Sequence, residues 1–522
     1  MKRYYIAASL WMLTAAAAWS QPTAYDVEKL SHNELNGTAR FVGMGGAMSA
    51  LGSDISTIAT NPAGLALFRR ADVMLTVGFD QNKTEAGGLE ETSDKMRLNN
   101  VGVVIPFSMS GSSSLVNMNF GFNYQRRNTF YKNLSVSQAL ASGISQINQM
   151  ADMAGGTSEY DIAGTEDYNP FRNEQVGWLP ILGYNTGMIF TETEGGNTYL
   201  PTTFPDGSDS YFSAQERGGV DQLDVSFSFN FNDRVYVGAS LGYYDVDYTK
   251  NTYYRESVMD ATFGKLGYDV YSDNWIHGDG VDFKLGVIAR PFEESSLRFG
   301  FAVHTPVFYR LTLTTGFDAA SAYTDEGPEG TLELYKGYVN SYDNIGGSYD
   351  QDFKLRTPWL FNLSAGYTIG SDVALGVEYE YEDFSSSNLK DAYSTNYRFG
   401  NDEISSQLKG VHTLRLGTEI KLMPELALRL GYNYSSSAYD KGSYKVHPYN
   451  SINTDTEFTN RHAMNTVTGG LGIRLSRNTY LDMAYKYQVQ KGDFYAFDHL
   501  DLKSVELTDS RHSFLATIGY RF

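Results

Sequence analysis

Val116-Asn117-Met118-Asn119-Phe120-Gly121-Phe122-Asn123-Tyr124-Gln125 is the stretch on which the reading of this chain turns. Successive side chains of a strand point to opposite sides, so Val116, Met118, Phe120, Phe122 and Tyr124 share one face and Asn117, Asn119, Gly121, Asn123 and Gln125 the other. One face suits lipid, and the other, polar but uncharged, suits the inside of a barrel. Residues 72–81 repeat the pattern, with Val73, Leu75, Val77 and Phe79 alternating against Met74, Thr76, Gly78 and Asp80. Similar stretches lie at 98–107, 219–231, 234–248, 280–290, 296–310, 354–369, 372–382, 409–421, 425–435, 463–475, 478–490 and 511–522, which brings the count to about fourteen. Short links, such as Asn232-Asp233, Gly370-Ser371 and Ser476-Arg477, alternate with long ones, and turn-forming residues dominate them. That rhythm predicts an all-β transmembrane barrel of about 14 antiparallel strands over residues 72–522, with tight periplasmic turns and long extracellular loops.

Composition fits a membrane protein of this kind. Mean hydropathy is -0.35, and after the first twenty residues no apolar run reaches the ~20 residues of a spanning helix. A barrel needs no such run because only alternate residues face lipid. The 39 Tyr against 5 Trp suit aromatic girdles at the two interfaces.

Residues 1–20 read as a secretory signal peptide: Lys2 and Arg3, an apolar core from Ile6 to Ala18, and a small-x-small junction at Ala18-Trp19-Ser20 before Gln21. The chain has no cysteine, which removes lipid attachment at that junction, disulfides, thiolate catalysis and Cys-ligated metals. A net charge of -20 argues against nucleic acid, which demands a basic face. Acids concentrate in the segments 85–94, 273–282, 325–333 and 343–352, read as extracellular loops. They form a solvated rim or bridge to lipopolysaccharide through divalent cations, and no twelve-residue calcium loop is found.

Ionisable residues fall in the inward register: Lys284, Arg290, Arg298, Glu378, Glu380, Arg415, Glu419, Arg429, Arg474, Asp482, Lys486 and Arg521. Charges against lipid are costly, so this placement supports the assignment. Their mixed signs are expected to pair and anchor a plug. An open selective pore would call for a uniform bias.

A plug is expected from residues 21–70, which read differently from the strands. Gly43-Met44-Gly45-Gly46-Ala47 is followed by Asp54 and by Asn61-Pro62-Ala63-Gly64-Leu65-Ala66. Small residues permit close backbone approach, and Asn-Pro with a following Gly marks a bend. Taken together with the barrel behind it, this block resembles the FadL/TodX (OMPP1) family of outer-membrane transporters for hydrophobic compounds. The resemblance implies a fourteen-stranded barrel closed by an N-terminal hatch in the Gram-negative outer membrane. Passive uptake of compounds such as long-chain fatty acids would run through loop capture, hatch rearrangement and lateral exit. It also implies that Gly45, Gly46, Asp54, Asn61, Pro62, Ala63 and Gly64 belong to the hatch. Gly121 is the candidate for a lateral gap, since glycine tolerates bulges and leaves no side chain in an opening; its alternative is lumen-side space for the plug.

Leu134, Leu140, Ile144, Ile147, Met150 and Met153 recur at helical spacing and predict an amphipathic helix over residues 134–153. Leu140, Ile144, Ile147, Met150 and Trp178 are candidates for ligand capture, Met and Ile being adaptable apolar contacts. No nucleophile elbow and no zinc-binding His-Glu-x-x-His are found, so no catalytic residues, metal or cofactor are assigned. The alternatives are a hemin receptor using His277, His447, His462, His499 or His512, and a general porin. No TonB box stands near Gln21. Phe514-x-Ala516-x-Ile518-x-Tyr520-x-Phe522 resembles the C-terminal signal read by the barrel-assembly machinery. The expected partners are hydrophobic small molecules and outer-membrane lipid, with the protein a monomer.

Overall fold

Backbone groups inside hydrocarbon have no water to bond, so a sheet that crosses a bilayer must close on itself. The computed structural model, which describes residues 22–109, 114–202, 207–326 and 331–522, shows that closure. The predicted signal peptide lies outside the described residues. β1 (Asp72–Ala86) pairs with β2 (Leu89–Ser108) on one edge, and on the other with β14 (Val505–Arg521), from Asp72↔Arg521 to Ala86↔Leu507. Between them run β3 (Leu115–Thr129 and Lys132–Leu140), β4 (Ser208–Phe231), β5 (Val235–Asp260), β6 (Gly264–Ala289) and β7 (Arg298–His304 and Phe308–Glu326). β8 (Tyr349–Arg356 and Leu360–Ile369), β9 (Val373–Asp383 and Asn388–Asp391), β10 (Gly410–Met423), β11 (Leu426–Ser435), β12 (Phe458–Arg474) and β13 (Thr479–Tyr495) complete the wall. The fourteen strands form a closed antiparallel barrel, with additional short strands in the loops.

The alternation seen in sequence is realised in burial. In β3, Asn117, Asn119, Asn123 and Gln125 are buried inside while Phe122 is exposed. Val73, Leu75, Val77 and Phe79 of β1 continue the apolar exterior, as do Phe299 and Phe301 of β7 and Phe514 and Ile518 of β14.

β7 and β8 are interrupted at the same level, at Pro306 and Pro358, which have no N–H to give to a ladder. Threonines mend the crease: Val307 N donates to Thr357 Oγ1 (2.8 Å) and Phe283 N to Thr305 Oγ1 (2.9 Å).

Two expectations need correction. Several strands run well past the membrane. The acidic segment 273–282, read as a loop, lies within β6, with Asp273 and Asp279 outside and Asp282 in the lumen, because the period of two persists through it. Nor does a single helix cover 134–153. Ser135-Val136-Ser137 keeps strand periodicity, so Lys132–Leu140 pairs with β4, and a helix begins at Gln146 after Ser145, whose side chain accepts from Ile147 N.

Candidate functional site

Residues 22–71 lie inside the barrel. Short helices at Ala24–Ser31 and Ala39–Gly43, and 3-10 turns at Ile55–Ala59 and Pro62–Leu67, are held by local caps and by a small apolar cluster of Leu35, Phe41, Met44, Met48 and Leu51. Thr38 caps the second helix by accepting from Phe41 N. Asp54 accepts from Ser56 N (3.0 Å) and from Thr38 Oγ1, tying two turns together. Asn61 accepts from Ala63 N (3.1 Å), and Pro62 supplies the preset φ of a first helical position. Gly45 and Gly46 adopt positive φ at the sharp turn between them. Gly64 is required by closeness: a Cβ there would sit 2.6 Å from Thr57 Oγ1.

The wall is bare where the plug touches it. Gly366, Gly376, Gly417 and Gly431 are direct neighbours across β8, β9, β10 and β11. A Cβ at Gly376, Gly417 or Gly431 would overlap the backbone of Ala47, Met44 or Gly45, and one at Gly366 would sit 2.8 Å from Leu51 Cδ2. Gly238 and Gly286, neighbours on β5 and β6, make a second socket for Asn61 and Pro62. Small residues of plug and wall thus meet backbone to backbone. The sequence reading overlooked these wall glycines; their signal is a glycine at the same inward register in successive strands.

Polar side chains fasten what the glycines admit. Asn119 Nδ2 donates to Leu65 O (2.6 Å) and Phe68 O (3.0 Å), and Asn117 Nδ2 to Ala66 O (3.2 Å). Arg40 binds Glu419 through two nitrogens (2.8 and 2.9 Å), Glu419 accepts from Arg429 (2.7 Å), and Arg429 reaches Asp482 (2.6 Å). Lys486 donates to Leu35 O (3.0 Å) and Arg298 to Leu51 O (2.9 Å). Elsewhere in the lumen Arg415 pairs with Glu378 and Glu380, Lys284 with Asp224 and Asp282, and Arg521 with Asp72. Arg290 instead donates to the turn carbonyls of Glu293 and Ser295, and Arg474 is exposed at the periplasmic mouth.

Among the described residues the wall parts along a seam between β2 and β3. The β2–β3 ladder runs only from Asn100↔Gln125 to Ser108↔Asn117, so residues 89–99 of β2 have no strand on that edge. Beyond a bulge at Arg126/Asn128, β3 passes to the lumen side of the β1–β2 hairpin. There the inward Asn82 donates to Tyr131 O and Asn133 donates to Thr92 O (3.1 Å). The seam lies beside lipid-facing positions: Met96, 72% exposed, pairs with Phe79. Hatch groups take up the freed backbone of β3. Asn36 Nδ2 donates to Arg126 O (2.8 Å), and the same side chain accepts from Asn99 of β2. Asn36 therefore bridges the two parted strands. Gly121 is no part of this seam. It stands in unbroken ladders to Val104 and Ser226, and its missing Cβ makes room for Leu65 (2.8 Å) of the plug.

Above the plug the long loops fold into a cap with its own apolar core. Ile147, Met150 and Trp178 are completely or almost completely buried, Leu140 is buried, and Ile144 packs at the edge of this cluster. They do not form an open capturing groove, because apolar side chains at helical spacing find one another before they find solvent. The five candidate haem-ligating histidines are dispersed: His277 stacks on Trp275, His462 meets Asp493 (2.9 Å), and His512 meets Tyr485 (2.7 Å). Two cavities between plug and wall hold only ≈ 50 Å³ each; one is lined by Gln125, Arg127, Lys284, His304, Glu380 and Arg415 among others. Neither could house a cargo molecule in this conformation. A larger cavity of ≈ 430 Å³ opens beneath the plug, among Arg40, Phe68, Arg70 and Lys421.

Cap and plug meet at Glu403, on the helix Arg398–Gln407. Its carboxylate accepts from Ala24 N (3.1 Å), the first residue of the plug's first helix, and from Val446 N (3.2 Å). Burial pushes its pKa up to about 7, against the two backbone donors and Lys445, with Asp26 adding to the rise. The folded state therefore holds the proton more tightly than the unfolded chain. The stability tied to the buried neutral carboxyl is fully present below the ordinary glutamate range near 4.5 and is lost as pH rises through about 7, because burial of the charge outweighs the two backbone hydrogen bonds, which favour the ionised form. Amide exchange at Ala24–Ser31 should accelerate between pH 5 and 8 beyond the intrinsic trend, and Glu403→Gln should abolish that excess; an unaltered profile in the variant would refute the assignment.

The architecture defines a plugged outer-membrane β-barrel. It has a FadL/TodX-type fold: a FadL homologue from Pseudomonas aeruginosa aligns over 97% of this chain and 100% of its own, with 12% identity and a TM-score of 0.50. The toluene transporters TodX of Pseudomonas putida (11% identity, 94% and 100% covered, TM-score 0.47) and TbuX of Ralstonia pickettii (12%, 94% and 99%, 0.46) also align. No family model matches the sequence, and no curated protein does.

Proposed function

We propose that this chain is a passive outer-membrane channel, not an enzyme, for hydrophobic compounds such as long-chain fatty acids or monoaromatics. Cargo parts the apolar cap, the hatch shifts, and the compound leaves sideways through the β2–β3 seam into the membrane. The seam carries this reading. A break in the ladder beside lipid-facing Phe79 and Met96, its backbone bonded by the plug residue Asn36, is a lateral opening held shut by the hatch. The chain's likeness in fold to a FadL homologue agrees with the same reading. The bare wall glycines would let the hatch slide without side chains to clear.

The test is uptake of labelled oleate and of toluene by a Gram-negative host lacking its own channel for them. Expression should raise uptake of at least one severalfold. Asn36→Ala, which removes the bridge but little volume, should raise it further, while ion conductance stays low. Failure of both cargoes would overturn the proposal; an effect of Asn36→Ala on ions alone would overturn the lateral route.

A further inference from the structure

Around the barrel exterior, register places six charged residues in one row: Asp221↔Asp245↔Asp279↔Arg310↔Lys354↔Lys390, across β4 to β9. The row two residues nearer the membrane reads Leu223, Tyr243, Val281, Phe308, Arg356 and Asn388, apolar over its first four members. The charged row is thus the first above the lipid-facing band and lies at the outer headgroup level. Within it the signs segregate rather than alternate.

Like charges directly opposite on neighbouring strands are destabilising, and Arg310, Lys354 and Lys390 are three in succession. Among the described residues none of them is ion-paired: Asp279 stands opposite Arg310 and Asp352 two residues farther out, but Asp352 accepts from Thr312 Oγ1 (2.7 Å), Lys354 donates to Ala392 O and Ser394 Oγ (2.8 Å each), and Arg356 donates to Ser386 O (3.3 Å). Below them the wall offers Phe308, Trp359, Phe361 and Tyr379, each at least 40% exposed. This is a basic shelf on an aromatic wall, in a protein of net charge -20.

We infer that this face of β7, β8 and β9 binds a phosphorylated glycolipid of the outer leaflet, its sugar phosphates against Arg310, Lys354, Arg356 and Lys390 and its acyl chains against the aromatic wall. Guanidinium and ammonium groups suit phosphate oxygens, Arg through paired donors, and the depth of the shelf matches a headgroup lying directly on hydrocarbon. The adjoining Asp245 and Asp279 place opposite charge beside the shelf, so they fix where the headgroup ends.

The purified full chain in detergent is titrated with bisphosphorylated lipid A, with the same lipid dephosphorylated, and with phosphatidylglycerol, binding being read by native mass spectrometry. The triple variant Arg310→Gln, Lys354→Gln, Arg356→Gln should bind bisphosphorylated lipid A roughly tenfold more weakly than the wild type. A charge-matched control, Lys265→Gln, Lys336→Gln, Lys441→Gln, should bind as the wild type does, and heat-modifiable gel mobility checks that each variant is folded. Several results would overturn the inference: no binding by the wild type, undiminished binding by the triple variant, equal loss in the control, or equal affinity for dephosphorylated lipid A or phosphatidylglycerol.

Discussion

A chain lacking residues 36–68 should still insert as a barrel but conduct. Ion current in planar bilayers and swelling of solute-loaded liposomes should rise roughly tenfold or more over the intact protein, as for an unplugged lumen. The barrel keeps its ladder because no wall strand pairs with the excised segment. What disappears is the stopper: the backbone of Met44, Gly45 and Ala47 against the wall glycines, Leu65 against Gly121, and Asn61 in the socket of Gly238 and Gly286. The lumen that remains is polar. Asn117, Asn119 and Asn123 line one side, Arg415 with Glu378 and Glu380 the other, so water enters without a dewetted constriction. Glu419 loses Arg40 but keeps Arg429, which limits the damage from stranded charge. An inserted, heat-modifiable barrel as tight as the intact one would mean that the cap, not the hatch, seals the protein.

The sequence made the wall legible and the contacts within it much less so. Val116 to Gln125 could be read residue by residue because lipid on one side and a polar lumen on the other impose a period of two that no soluble helix imitates. The same period runs through residues 273–282, where charge misled by suggesting a loop: a strand continues beyond the bilayer with water, instead of lipid, on its outer face. Asn61 and Pro62 could be read as a bend from local chemistry alone. Their socket could not, since Gly238 and Gly286 become neighbours only through the β5–β6 register. Trp178 and Ile147 announced burial but not against what, and they close on each other's cluster rather than on a ligand. Gly121 shows the ambiguity of a glycine in a strand. Either an opening or a close neighbour accounts for it, and only the position of Leu65 decides. The seam itself has no local signature. It arises because β3 abandons β2 after Gln125, a choice made by contacts with Asn82, Thr84 and Asn36 that lie far away along the chain.

Lys284→Met should destabilise the folded barrel by about 3–5 kcal/mol, the usual cost of removing one partner from a buried ion cluster. Lys284 Nζ lies 2.8 Å from Asp224 Oδ1 and 2.9 Å from Asp282 Oδ1, and all three side chains are at most 1% exposed. Methionine matches the lysine in length but leaves two carboxylates facing each other without a cation. Tyr244, which donates to Asp282 Oδ2 (2.9 Å), and Gln222, which donates to Asp224, cannot neutralise them. The loss should therefore come mostly from uncompensated charge rather than from packing. Converting both acids as well, in Asp224→Asn, Asp282→Asn, Lys284→Met, should restore more than half of it, since asparagine keeps hydrogen-bonding capacity without charge and the three substitutions are coupled. Urea unfolding in detergent, followed by tryptophan fluorescence, measures each variant. If the single variant unfolds within about 1 kcal/mol of the wild type, or the triple recovers nothing, the cluster is hydrated and lies along a water path through the lumen, and the plug is looser than its contacts imply.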